Sequence, residues 1–173
     1  KRKDSYVSTI STLNIETLGS GEFRKAPCCS LAESFSTNAS IDVAYTDAVT
    51  GTREIRMLGL RGTYTQLLVE KRPIVSGLGS AFIMEYIPGT WLNSIQISKG
   101  TSTVQNGYQA ITGQINSELV KPFQDKRFFI NLYGSTFGRG EANIHLNHQI
   151  SDKWSTGLLL HGGTRKNEMD DNE

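Results

Sequence analysis

Three runs of about ten residues each, 127–137, 141–150 and 154–163, alternate in polarity and restrict the possible folds more than any other feature of the chain. In the middle run Ala142, Ile144, Leu146 and Ile150 fall on one face of an extended strand, and Glu141, Asn143, His145, Asn147 and Gln149 on the other. His148 interrupts the apolar side. Trp154, Thr156, Leu158 and Leu160 continue the pattern in the third run. Gly138-Arg139-Gly140 and Ser151-Asp152-Lys153 are short enough to be hairpin connections. The dyad repeat suits the wall of a β-barrel in lipid and equally a soluble sandwich. Three strands cannot close a barrel, and their unpaired edges require the rest of a sheet.

The residues ahead of Lys121-Pro122 read differently. Tyr6, Val7, Ile10, Leu13, Ile15 and Leu18 suggest one or two short strands ended by Gly19-Ser20-Gly21. Glu22 to Ala26 reads as a helical turn stopped by Pro27. Ser30 and Glu33 form a capping box for a helix over 31–37 whose buried face carries Leu31 and Phe35. From Ala39 the period becomes two: strands are predicted around Ile41, Val43 and Tyr45, over 53–60 and over 65–69. A turn is predicted over 47–51, and Arg61-Gly62-Thr63-Tyr64 parts the last two strands. A loop with Gly77 and Gly79 follows. A short alternating strand then runs to Lys99-Gly100, a polar turn lies around Asn106-Gly107, and Gly113 leads into another strand. The first part is therefore an α+β domain.

Composition excludes several functions. A net charge of +1 with no basic block or basic–aromatic interleaving argues against nucleic acid. With 37% apolar residues the chain can build an ordinary core, and its 17 glycines favour a turn-rich β protein. No window approaches the ~20 apolar residues of a membrane helix. No signal peptide follows Lys1-Arg2-Lys3, so both ends are expected to be cuts within a longer chain. His145 and His148 fall on opposite strand faces and share no metal, Gly77-Leu78-Gly79 follows no βαβ pattern, and no acid, base and nucleophile converge. The chain is expected to be no enzyme, to hold no cofactor and to have no metal site. Cys28 and Cys29 are the soft-ligand candidates, with a vicinal disulfide or two free, buried thiols as alternatives.

Several motifs, in order, resemble the TonB-dependent outer-membrane receptors over residues 8–163. Leu31-Ala32-Glu33-Ser34-Phe35 is similar to the family's Leu-x-Asp/Glu-x-Leu helix, and Ile41-Asp42-Val43 to the strand after it, although Ala39-Ser40 stands where Pro-Gly is usual. Met57-Leu58-Gly59 occupies the place of the Ile-Arg-Gly signature, and Glu70-Lys71 that of an Asp-Gly turn. Ile87-Pro88 precedes Leu92-Asn93-Ser94-Ile95-Gln96-Ile97-Ser98-Lys99-Gly100, which stands for the Glu-Arg-Ile-Glu-Val-Val-Arg-Gly segment. Asn106-Gly107 and Gly113-Gln114-Ile115-Asn116 resemble the end of the plug domain. Leu58 and Lys99 thus replace the family's two plug arginines, one point charge in place of two bidentate forks.

The resemblance implies a plug domain over residues 1–122, with short mixed strands and short helices. Residues 123–173 would be the first antiparallel strands of a transmembrane β-barrel of the plugged, 22-stranded type. It implies a Gram-negative outer-membrane location, with the plug inside its own barrel. The partner would be TonB, with its inner-membrane ExbB–ExbD complex, engaging a box upstream of Lys1. Cargo would be an extracellular nutrient: an iron-siderophore, haem, cobalamin or another metal complex. Leu68-Val69-Glu70-Lys71 differs from the Val-Ile-Asp-Gly turn of the glycan-importing branch, and Met57 with the two cysteines makes copper a further possibility. The ligand-facing loops would be 46–52, 61–64 and 75–82, placing Asp47, Thr50, Arg61, Tyr64, Ser76, Gly77, Gly79 and Ser80 at the ligand, with Lys99 as a plug-to-barrel contact. The rival reading is a soluble or surface β-rich module that binds a ligand or protein without transporting it.

Overall fold

The computed structural model describes residues 5–8, 15–19, 35, 41–45, 53–75, 79, 83, 86–101, 109–136 and 138–165. The chain forms two compact units, Lys1–Leu119 and Val120–Glu173.

The first unit is built on a six-stranded sheet of β1 (Ser5–Ser8), β2 (Ile15–Gly19), β8 (Leu92–Lys99), β9 (Gly113–Leu119), β6 (Thr65–Val69) and β7 (Arg72–Pro73), in that spatial order. The β6–β9 pair is parallel, and the other pairs are antiparallel. A second sheet holds β3 (Ile41–Tyr45), β4 (Arg53–Met57) and β5 (Leu60–Arg61). Period-two alternation gives each sheet one apolar face. Leu18, Leu67, Ile95, Ile97 and Ile115 from the first join Ile41, Ile55 and Met57 from the second, with Phe35 and Leu92, in one core.

The opposite face of the large sheet is polar and hydrogen-bonded across its strands. Glu118 accepts from Ser94 Oγ at 2.9 Å and from Gln96 Nε2 at 3.1 Å. Gln96 Oε1 accepts from Asn116 Nδ2 at 3.3 Å, and Asn116 Oδ1 from the Lys71 amide at 2.8 Å. Glu70 Oε1 takes the Leu119 amide at 2.8 Å. Asn116, the buried residue of this row, thereby has a partner for both ends of its amide.

Four expectations need correction. Residues 53–60 are not one strand: Leu58-Gly59 is a two-residue turn, with φ of 55° and 77°, between the paired Met57 and Leu60. The pairing imposes the turn, since Leu58 has no intrinsic preference for positive φ. Gly79, expected in a loop, takes helical conformation, as do Ile83 and Tyr86 at helical spacing, and Ile83 packs against the core. The first of the three alternating runs ends at Gly134 rather than at residue 137. The turn that follows is Ser135–Gly138, not Gly138-Arg139-Gly140: the Gly138 amide donates to Ser135 O at 3.1 Å with Gly138 at φ 76°. Arg139 and Gly140 already belong to the next strand. The helices predicted over 22–26 and 31–37 lie outside the described residues, apart from Phe35, which is buried in a turn. Among the described residues the other helical pieces are short 3-10 turns, Gly62–Tyr64 and Gly89–Trp91.

The second unit is an antiparallel meander of β10 (Phe128–Gly134), β11 (Arg139–Ser151) and β12 (Trp154–Arg165). Ser151 pairs with Trp154, so Asp152-Lys153 closes the second hairpin.

Candidate functional site

The meander has its faces reversed relative to a water-soluble sheet. Register places Phe128, Leu146 and Leu158 in one row, Ile130, Ile144 and Leu160 in the next, and Leu132, Ala142 and Gly162 in a third. The rows cover about 13 Å of strand at 3.3 Å per residue. These apolar side chains point out: Leu132 is 72% exposed, and Trp154, at the hairpin end, 73%. On the other face Asn143, His145 and Asn147 are only 3%, 2% and 7% exposed. A soluble sheet buries its apolar face and wets its polar one. This sheet does the opposite.

The polar face holds a connected cluster. His145 Nδ1 is 3.0 Å from Asp125 Oδ2, and Asn147 Nδ2 donates to the same oxygen at 3.1 Å and to Lys126 O at 2.8 Å. An ionised carboxylate only accepts, so His145 Nδ1 carries the proton. The Phe129 ring lies against the imidazole, with centroids 4.8 Å apart. His161 Nδ1 is 2.8 Å from Asn143 Oδ1, the residue directly opposite it. Burial pushes the Asp125 carboxyl up. The His145 hydrogen bond and charge, the Lys126 backbone and the Asn147 amide outweigh that and hold it below the ordinary carboxylate range. Alternation identified His145, Asn143 and Asn147 as one face. Asp125 was missed, because it sits in a turn 20 and 22 residues from its partners.

Of the expected ligand-facing residues, Arg61 caps the Gly62–Tyr64 turn, Tyr64 ends it, and both are exposed. Arg61 Nε lies 3.3 Å from the carboxylate of Glu54, which is buried. The Tyr64 carbonyl accepts the amides of Ile111 and Thr112 at 3.0 and 3.2 Å, and Thr112 Oγ1 at 3.1 Å. This brings the exposed Ile111 beside Tyr64, and the exposed Leu58 and Leu60 lie on the neighbouring hairpin. Sequence reading had not grouped these apolar residues with Arg61 and Tyr64. Gly79 is helical rather than at a loop tip. Asp47, Thr50, Ser76, Gly77, Ser80, Cys28 and Cys29 lie outside the described residues. Lys99 is exposed at the end of β8. Met57, weighed as a soft metal ligand, is fully buried in the apolar core, where its thioether is a packing group. Among the described residues no three His, Cys, Asp or Glu side chains come together to hold a metal ion. No described helix is long and apolar enough to cross a membrane, which says nothing of a β-barrel.

Comparison with known proteins agrees with this architecture. No curated protein matches the chain by sequence. Solved structures do match by fold. The ferric yersiniabactin uptake receptor FyuA from Yersinia pestis superposes with a TM-score of 0.69 at 16% identity, over 88% of this chain and 24% of the receptor. The ferric-catecholate import receptor Fiu from E. coli K12 gives 0.70 at 16% identity, over 90% and 22%. FpvA of P. aeruginosa, solved with heterologous pyoverdines, gives 0.68 at 12%, over 84% and 19%. The chain thus spans 19–24% of these receptors' length. The family profile described as the TonB-dependent receptor plug domain matches residues 9–114, more than half of the chain, and the chain belongs to that family.

Proposed function

We propose that this chain is the plug and the first wall strands of an outer-membrane transporter that imports a metal chelate, of the iron-siderophore class, with TonB-coupled energy. The observation that carries this reading is the reversed sheet of the second unit: an outward apolar band with Trp154 at its end, and Asn143, His145 and Asn147 buried behind it. Among the described residues the sheet has three strands and two open edges, and in this reading further antiparallel strands complete the wall. The siderophore class is supported by the matched structures: FyuA is an uptake receptor for ferric yersiniabactin and Fiu an import receptor for ferric catecholate.

In this reading the plug sits inside the barrel, and Arg61, Tyr64, Leu58, Leu60 and Ile111 offer a cation, a phenol and apolar surface to an aromatic, anionic chelate. The segments containing Asp47, Thr50, Ser76, Gly77, Gly79 and Ser80 contribute further contacts. Lys99 pairs with a carboxylate of the barrel. TonB, driven by its ExbB–ExbD complex, pulls on a box upstream of Lys1.

The test is whole-cell uptake of labelled ferric siderophore, cobalamin and copper by the intact gene product, with and without TonB. TonB-dependent uptake of a ferric siderophore is expected. A full-length product that is soluble in the periplasm, or correct outer-membrane insertion with no TonB-dependent uptake of any of the three, overturns the reading.

A further inference from the structure

The residues that join the two units do not hang free. They fold back on the polar face of β11 and β12 and are fastened at several points, all within the second unit. The Gln124 and Asp125 amides both donate to Lys121 O at 3.0 Å, closing a compact turn. Asn147 then clamps that turn to β11: its amide N–H donates to Arg127 O at 2.8 Å, and its side-chain Nδ2 to Lys126 O and Asp125 Oδ2. His145 takes the same carboxylate oxygen. At the other end Pro122 lies against Gly157 of β12. A Cβ built on Gly157 would be 2.8 Å from Asn147 Oδ1, 2.8 Å from Pro122 Cγ and 3.3 Å from its Cβ, so only glycine lets the ring and the Asn147 amide both seat there. Side chains that are otherwise wall residues are thus committed to holding a connector.

We infer that the segment Lys121–Arg127 is a fixed tether, locked on the inner face of the sheet while the plug unit rearranges, so that the hinge for any plug movement lies at or before Val120. The inference rests on the transport reading above. It concerns where the chain bends, not what is carried. A connector meant to peel away would be expected to hold few buried bonds. This one has two buried strand residues, His145 and Asn147, devoted to a single carboxylate.

The contact between Pro122 and Gly157 supplies the test. The Cβ separation of 3.3 Å is near the range a disulfide needs. In the full-length receptor with Cys28 and Cys29 changed to Ser, the double variant Pro122→Cys/Gly157→Cys is oxidised in the outer membrane. The disulfide is expected to form, and TonB-dependent uptake of ferric siderophore by oxidised cells to equal that of the same cells after reduction. Uptake lost on oxidation and restored by dithiothreitol overturns the tether, because it shows that the segment must leave the wall. The unsubstituted receptor gives an independent measure: the Gln124 and Asp125 amides should exchange hydrogen slowly with and without ligand, and fast exchange in either state contradicts the proposal. Absence of TonB-dependent uptake in the unsubstituted receptor would instead sink the transport reading, while the disulfide and exchange results would still report on the clasp.

Discussion

His145 Nδ1 lies 3.0 Å from Asp125 Oδ2, linking a buried ring in β11 to an acid in the turn before β10. The folded-state pKa of Asp125 is lowered, so the group contributes stability above its unfolded value near 3.9, and that contribution is lost as pH falls through the folded value. The melting temperature of the full-length receptor in detergent should therefore drop below about pH 4, and Asp125→Asn should remove part of that drop by keeping an acceptor without a titrating charge. Asp125→Ala should lose about 1–3 kcal/mol at neutral pH, because two buried donors lose their acceptor. Identical pH profiles for Asp125→Asn and the parent would show that the pair does not form.

At Gly113 the first residue of β9 lies close to the backbone of β8 and to the core. At φ 156° a Cβ there would collide with the Ser98 carbonyl oxygen and meet Met57 Sδ at 2.6 Å. The first obstacle is backbone and cannot rotate away. Gly113→Ala should cost about 3 kcal/mol or more, or prevent folding. Gly140→Ala is the counterpart: its Cβ would meet only Thr164 Cγ2, at ordinary contact distance (3.5 Å), and the change should be neutral or stabilise by about 0.5 kcal/mol. Denaturant midpoints of the two variants decide between a steric role for Gly113 and a general tolerance of side chains at these glycines.

What could be read from the residues, and what could not, follows from how local the cause was. Strands β3, β8 and β11 were legible because burial of one face imprints a period of two on the residues themselves, whereas β6 is buried on both faces and shows as a short apolar run. The break at Leu58-Gly59 was not, since Leu carries no turn signal and its positive φ is enforced by Met57 pairing with Leu60. Gly79 misled in the opposite direction: Ser-Gly-Leu-Gly-Ser has the composition of a loop, yet Gly79 is helical and Ile83, four residues on, is anchored by the core. At the candidate site, Arg61 and Tyr64 were visible as polar and aromatic residues at a glycine turn. Their apolar neighbours Leu60 and Ile111 were not, because Ile111 comes beside Tyr64 only through backbone hydrogen bonds across a long sequence separation.

The turn at Glu70-Lys71 joins β6 to β7 with both residues at positive φ, 52° and 63°. Two non-glycine residues in this region cost about 1–2 kcal/mol each. Lys71→Gly should therefore raise stability by about 1 kcal/mol, because the Lys71 amide bond to Asn116 uses backbone and survives. Glu70 is different: its carboxylate accepts the Leu119 amide, so Glu70→Gly should show little or no gain. A melting temperature lowered by Lys71→Gly would show that the lysine side chain makes a contact that outweighs the relieved strain.

Leu160 stands directly opposite Ile144, which stands opposite Ile130, so the three form the middle row of the outward band. If that band faces lipid, Leu160→Arg places a charge in hydrocarbon and should cost about 2–4 kcal/mol in a bilayer. If it faced water, the same substitution at a half-exposed position would stay within about 0.5 kcal/mol. His161, one residue on, points the other way and bonds Asn143. His161→Arg should therefore cost no more than that hydrogen bond, about 1 kcal/mol. Folding free energies of the full-length receptor in lipid vesicles, from denaturant titration, separate the cases. A large penalty at Leu160 with a small one at His161 is the pattern of a membrane wall. Equal small penalties at both positions would remove the lipid-facing assignment, and with it the argument for a barrel beginning at β10.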